Sequence, residues 1–179
     1  FVRDRVDWMD TMLSYGKVRQ ENGVYQIGSG LDLCTFSHIV NESGETKAKA
    51  VLISDINMQD YNDDFLPIGT ASAPFAGNID GKGHTISGLH IAGKEGVGFV
   101  AYPGICTFQN IVFDETCSAE GESYVGMLAG YARNGVVTVS GVENHGTVTA
   151  TVGSAGGLVG AGRLLATFNV NNCCNTGTV

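Results

Sequence analysis

Three segments decide the fold: Phe108-x-Asn110-Ile111, Val139-x-Gly141-Val142 and Val170-x-Asn172-Cys173. The step from Phe108 to Val139 equals the step from Val139 to Val170, and Asn144-x-Gly146-Thr147-Val148 returns at the same interval as Asn175-x-Gly177-Thr178-Val179. A glycine unit interleaves with them at nearly the same spacing: Val97-Gly98-Phe99-Val100, Val125-Gly126-Met127-Leu128 and Gly156-Gly157-Leu158-Val159. Ile86-x-Gly88-Leu89 reads as an earlier unit, a shorter step ahead of the first copy. Each repeat holds strands of four to six residues, too short to form a sheet alone. Stacked, they place Phe108, Val139 and Val170 in one apolar ladder and Ile111, Val142 and Cys173 in another, with rungs about 4.8 Å apart. Glycines are expected at positive-φ corners where each coil turns. A coil of roughly 22–31 residues without helical periodicity predicts an all-β, right-handed parallel β-helix with an N-terminal helical cap. The helix is expected to begin near residue 45 and run to the end of the chain.

Outward from the repeats, composition agrees. The 179 residues include 26 glycines and only 3 prolines, and the glycines have no three-residue period, which excludes collagen. The 18 acids and 10 bases give a net charge of −8, the wrong sign for a nucleic-acid surface. No apolar run has the roughly 20 residues of a membrane span. Residues 1–65 carry 11 of the acids and 6 of the bases, so the repeat region is sparsely charged. Val2, Val6, Met9 and Leu13 recur at helical spacing, predicting a helix over residues 1–15. Asn22-Gly23 marks a turn before a strand at Val24-Tyr25-Gln26-Ile27, and Leu33, Phe36 and Val40 give one apolar face to a helix over residues 31–40. The chain starts at Phe1 without Met and stops inside a strand-like pattern, which reads as a piece of a longer polypeptide. Residues 1–20 read as a linker or the tail of a preceding domain, and 24–179 as a β-helix truncated at its C-terminal end. Its open last rung predicts end-to-end self-association.

Pro67-Ile68-Gly69, Pro74-Phe75-x-Gly77-x-Ile79-Asp80-Gly81-x-Gly83-His84-x-Ile86-x-Gly88-Leu89 and the later Gly-Leu-Val-Gly units resemble the GLUG-motif repeat proteins. Those are secreted or surface-attached bacterial proteins, adhesins among them. The resemblance implies a β-helix capped by the helix near residues 31–40, an extracellular or cell-surface location, no catalytic residues and no cofactor. Arg3-x-Arg5-Val6-x-Trp8-Met9-Asp10 is similar to the closing helix of spore-coat-H-like secreted kinase domains, although an amphipathic linker helix explains it as well.

The function expected is a non-catalytic, adhesin-like module binding a host or microbial glycan or a surface protein. A carbohydrate-active lyase or glycosidase and a passive stalk are the alternatives. Tyr61, Phe65, Tyr102, Tyr124 and Tyr131 are the aromatic candidates for stacking on sugars. Asp55, Asn57, Asp60, Asn62, Asp63 and Asp64 supply oxygen enough for calcium, but lack the order of an EF-hand or of a calcium-binding nonapeptide roll, so a solvated turn is preferred. An enzyme would draw on Asp80 with His84, or on Asp114, Glu115, Glu120 and Glu122 with Arg133 or Lys82. Asp80 and His84 read more simply as part of a glycine corner, and the other acids fall in one loop excursion. Among the five cysteines, Cys173 falls on a core position and Cys174 on an outward one, whereas pairing of Cys106 with Cys117 stays open.

Overall fold

The structure, a computed structural model, describes residues 17–179. The helix expected over residues 1–15, and the kinase-like segment within it, lie outside the described residues. Asn22 and Gly23 adopt φ of 51° and 75°, the two left-handed residues that a two-residue hairpin turn requires, and join Gln20–Glu21 to Val24–Ile27. From Val24 onward, every further pairing is parallel. One sheet contains, in order, Gln20–Glu21, Val24–Ile27, Lys49–Leu52, Asn78–Asp80, Cys106–Gln109, Ala129–Ser140 and Val159–Asn171. A second stacks Ile56–Asn57, Thr85–Ser87, Val112–Phe113, Glu143–Asn144 and Cys174–Asn175. Two three-stranded sheets complete the three turns that start at Asn78–Asp80, Cys106–Gln109 and Ala129–Ser140: His90–Ala92 with Ser118–Gly121 and Thr147–Ala150, and Glu95–Val97 with Ser123–Gly126 and Ala155–Gly156. The result is a parallel β-solenoid.

Phe108, Val139 and Val170 share one register column, as their equal spacing requires. The column continues back through Ile79 and Ala50 to Tyr25, so the parallel coils begin at Val24 rather than near residue 45. Ile86 is not the rung below Phe108. It lies on the second sheet and pairs with Phe113, so the short step from Ile86 to Phe108 compared two different sheets. The true coils lengthen along the chain instead: Tyr25 to Ala50 is the shortest step of the column, and the two steps from Phe108 to Val170 are the longest. Every member is buried except Val170, which is 50% exposed because no further strand of the sheet lies over it.

The glycines do two different jobs. At the corner after the first sheet, Asn110, Gly141 and Asn172 have φ of 52°, 62° and 51°, a left-handed position that Asn and Gly occupy most cheaply. Gly98, Gly126 and Gly156 of the interleaved unit are not left-handed. A Cβ on Gly126 would lie 2.5 Å from both the Ala129 carbonyl oxygen and the Gly160 nitrogen, so close backbone approach demands this glycine. The Asn144-x-Gly146 motif has its own cause. Buried Asn144 accepts from the Gly146 amide and donates to Asn175 one coil on at 2.8 Å.

A helix over Gly30–Glu42 replaces the remaining sheets of the first turn. Ser29 caps it by accepting from the Asp32 amide at 3.1 Å. Leu33, Phe36 and Val40 are buried, and the Phe36 ring meets Tyr25 at 5.4 Å and Phe75 at 6.5 Å, edge-on in both cases. The apolar interior of the coils is thereby covered at this end.

One corner is longer than the rest. Between Ile79 and Ile86 the chain loops through Gly81, Lys82 and Gly83, and Asp80 fastens the loop. Its Oδ1 accepts from the Lys82 amide (2.9 Å) and Asn110 Nδ2 (3.2 Å), and its Oδ2 from Gln109 Nε2 and Lys82 Nζ (both 2.8 Å). Partial burial opposes the charge, but the bonds from Lys82, Gln109 and Asn110 outweigh it and hold the carboxyl at about 2. Since that lies below the unfolded value near 3.9, Asp80 stabilises the fold above about pH 4 and ceases to as pH falls through 2. Discounted for the exposed lysine, the loss is about 1–2 kcal/mol. Urea midpoints at pH 6 and pH 2 should therefore fall further for the native chain than for Asp80→Asn; parallel shifts would show that Asp80 does not carry the difference.

Candidate functional site

The strand Ala129–Ser140 of the first sheet turns Tyr131 and Arg133 outward near its start. Tyr124, from the strand Ser123–Gly126, stacks on Tyr131 with ring centroids 4.4 Å apart and planes at 14°. Tyr102, from the preceding coil, meets Tyr131 edge-on at 6.4 Å. The Arg133 guanidinium lies 5.5 Å from the Tyr102 centroid and 5.9 Å from that of Tyr131, within cation–π range. All three rings are partly exposed and Arg133 is exposed. Three of the five aromatics singled out in the sequence thus form one surface cluster.

The other two are elsewhere. Phe65 is only 6% exposed and stacks on Phe99 at 5.8 Å inside the core, out of reach of a ligand. Tyr61 packs over the start of the helix, where a Cβ on Gly30 would strike its ring. Sequence reasoning placed Arg133 only as a partner for catalytic acids. Its spacing of two from Tyr131 on one strand was the available signal, since alternate residues of a strand share a face.

The outer face of the first sheet is a second candidate surface. A groove of about 420 Å³ is lined by Gln26, Lys49, Asn78, Asp80, Thr107 and Gln109 among others, beside the Asn22 hairpin. Its central carboxylate is fully engaged: the four bonds to Asp80 use the four lone-pair sites a carboxylate offers. Asp80 thereby fastens the corner it stands on.

The remaining charged candidates are also held locally. His84 turns from Asp80 to Asp55, whose Oδ1 it meets at 3.1 Å; the Thr85 amide first, and then this ring, hold the Asp55 carboxyl below its usual range. Asn57 accepts from the Gln59 amide, and Asn62 bridges the Gly88 carbonyl and the His90 amide. Asp60, Asp63 and Asp64 are exposed. Among the described residues, no three His, Cys, Asp or Glu side chains come together as a metal site. Asp114 accepts from the Thr116 amide and hydroxyl, closing its own turn, while Glu115, Glu120 and Glu122 are exposed. Cys106 and Cys117 are buried free thiols and form no disulfide; burial pushes both up to about 12, as it does Cys34. Cys173 is half-buried against the core and Cys174 points outward opposite Glu143.

Coil register and sheet order define the class, a parallel β-solenoid. No protein-family model and no curated protein matches the sequence. Among solved structures, the chain is similar to a "putative immunoglobulin A1 protease" from Bacteroides ovatus, with a TM-score of 0.61 and 17% identity over 88% of this chain. The chain spans 58% of the length of that structure. At this identity the likeness carries the fold alone. Among the described residues, no helix is long and apolar enough to cross a membrane.

Proposed function

We propose that this chain is a non-catalytic binding module of a secreted or surface-exposed bacterial protein, and that its ligand is a glycan. The observation that carries the reading is the convergence of Tyr102, Tyr124 and Tyr131 on one patch beside an exposed arginine. Exposed aromatic faces stack on the apolar C–H faces of sugar rings while their hydroxyls stay in water. The GLUG-like motifs support the same reading. So does the outer face of the first sheet, whose amides and hydroxyls from Asn78, Thr107 and Gln109 repeat at rung spacing and suit an extended polar chain.

A hydrolytic enzyme is the second reading, favoured by the name of the Bacteroides ovatus protein. Against it, the buried Cys34, Cys106 and Cys117 thiols stay protonated at neutral pH, where a cysteine nucleophile must be a thiolate. Asp80 and Asp114 are likewise bound to their own turns. The test pairs a glycan array with two turnover assays, reducing-end release from the retained polysaccharides and cleavage of immunoglobulin A1. Retention without turnover is expected. Release of sugar, or cut immunoglobulin, would replace the binding reading with the enzymatic one.

A further inference from the structure

We infer that the tyrosine patch selects sugars bearing a carboxylate, of the uronic or sialic acid class, through Arg133 and Arg163. The inference rests on the glycan reading above and assigns it a ligand chemistry. Pairing of Ala132 with Gly162 and of Asn134 with Leu165 sets Arg133 opposite the two-residue step 163–164, which includes Arg163, on the adjacent strand. Both arginines are exposed. The repeat region beyond residue 65 has only four bases, and two of them lie on these adjacent strands. Among the described residues, the ion pairs fall on Arg19, His38, Lys82, His84 and His145, and neither arginine pairs with a carboxylate. Glu122, exposed two residues before Tyr124, makes no ion pair with them.

A guanidinium resting on two aromatic rings is held in place before any ligand arrives, and its N–H edge remains open to a planar, two-oxygen acceptor. In a chain of net charge −8, a carboxylate is repelled in general and attracted only at such a spot.

Tyr124 supplies an independent argument. Its φ is 58°, which a bulky residue seldom adopts. Strand pairing sets it level with Gly96 on the coil before and Ser154 on the coil after. Gly96 has nearly the same φ, 65°, and adopts it without penalty. The sequence thus places an aromatic ring where the backbone itself is best served by glycine. Strain of this kind gathers at binding sites, where the side chain and not the backbone is needed. The ring it provides completes the stack on Tyr131.

The test measures binding of the whole chain to oligogalacturonate and sialyllactose, each beside its neutral counterpart, a carboxyl-reduced oligomer and lactose. The acidic sugar should bind at least about tenfold more tightly, with affinity falling as salt rises. Arg133→Gln and Arg163→Gln should each remove most of that preference, read as the ratio of acidic to neutral affinity. Tyr124→Gly should weaken binding of acidic and neutral sugars alike while its melting temperature holds or rises, a separation that a purely structural tyrosine would not produce. Equal binding of acidic and neutral sugars, or a preference untouched by both arginine variants, would overturn the inference and leave the glycan reading standing. Failure to bind any sugar would overturn both.

Discussion

Phe108→Ala is expected to destabilise the chain by about 3–5 kcal/mol, enough to unfold much of a marginal domain. Phe108 is fully buried between Ile79 and Val139 in the central column of the first sheet. Its ring stacks on Phe75 at 6.1 Å and 22°, and Phe75 touches the capping helix through Phe36. Removal of the ring leaves a cavity that rigid coils on either side cannot close, since each is tied to the next by backbone hydrogen bonds. Val170→Ala tests the same column at its open end. With half its surface already exposed, Val170 should cost well under about 1 kcal/mol. Equilibrium urea unfolding of both variants checks the register; similar losses would mean that the two residues do not occupy one graded stack.

The second large effect is expected at Gly126. Alanine there is usually benign, and the φ of this residue is not left-handed. The obstacle is space, because both atoms 2.5 Å from the new methyl carbon are backbone, one of them on the neighbouring coil. Neither can rotate away, so the coils must part near the point where Leu128 donates to the Leu158 carbonyl at 3.0 Å. A loss of about 1–3 kcal/mol follows from overpacking, and hydrogen exchange should rise at the amides of Val125, Leu128 and Ala129. Unchanged stability would contradict the close-approach role given to this glycine unit.

Much of the fold was legible because the later coils repeat almost in step. The two equal steps from Phe108 to Val139 to Val170 put these residues correctly in one column, and the Asn22-Gly23 turn and the Leu33–Phe36–Val40 face followed from local rules. The earlier coils hid for a physical reason. The first turn replaces sheets with a helix, and the corner after Ile79 carries extra residues, so the spacing to Ile86 matched a motif on another sheet. Glycine was ambiguous for the same cause: Gly141 answers to a dihedral angle and Gly126 to a neighbouring backbone, and a sequence shows both as one letter.

The candidate site was half legible. Aromatic residues outside the strongest repeat positions marked Tyr102, Tyr124 and Tyr131, but only the stacking of coils brings residues from separate turns into ring contact. The same reasoning admitted Phe65, whose place in the core depends on Phe99 of the next coil. Asp80 and His84 are close enough in sequence to suggest an acid beside a histidine, although a glycine corner is the simpler reading of them. The glycine loop between them turns one toward Lys82 and the other toward Asp55.

Binding without turnover at the tyrosine–arginine patch can be seen in a crystal structure of the chain with an acidic oligosaccharide. An intact ligand is expected, with a sugar ring over the Tyr102, Tyr124 and Tyr131 cluster and its carboxylate on Arg133. A cleaved ligand, or an intact one seated only in the groove between Gln26 and Gln109, would contradict it.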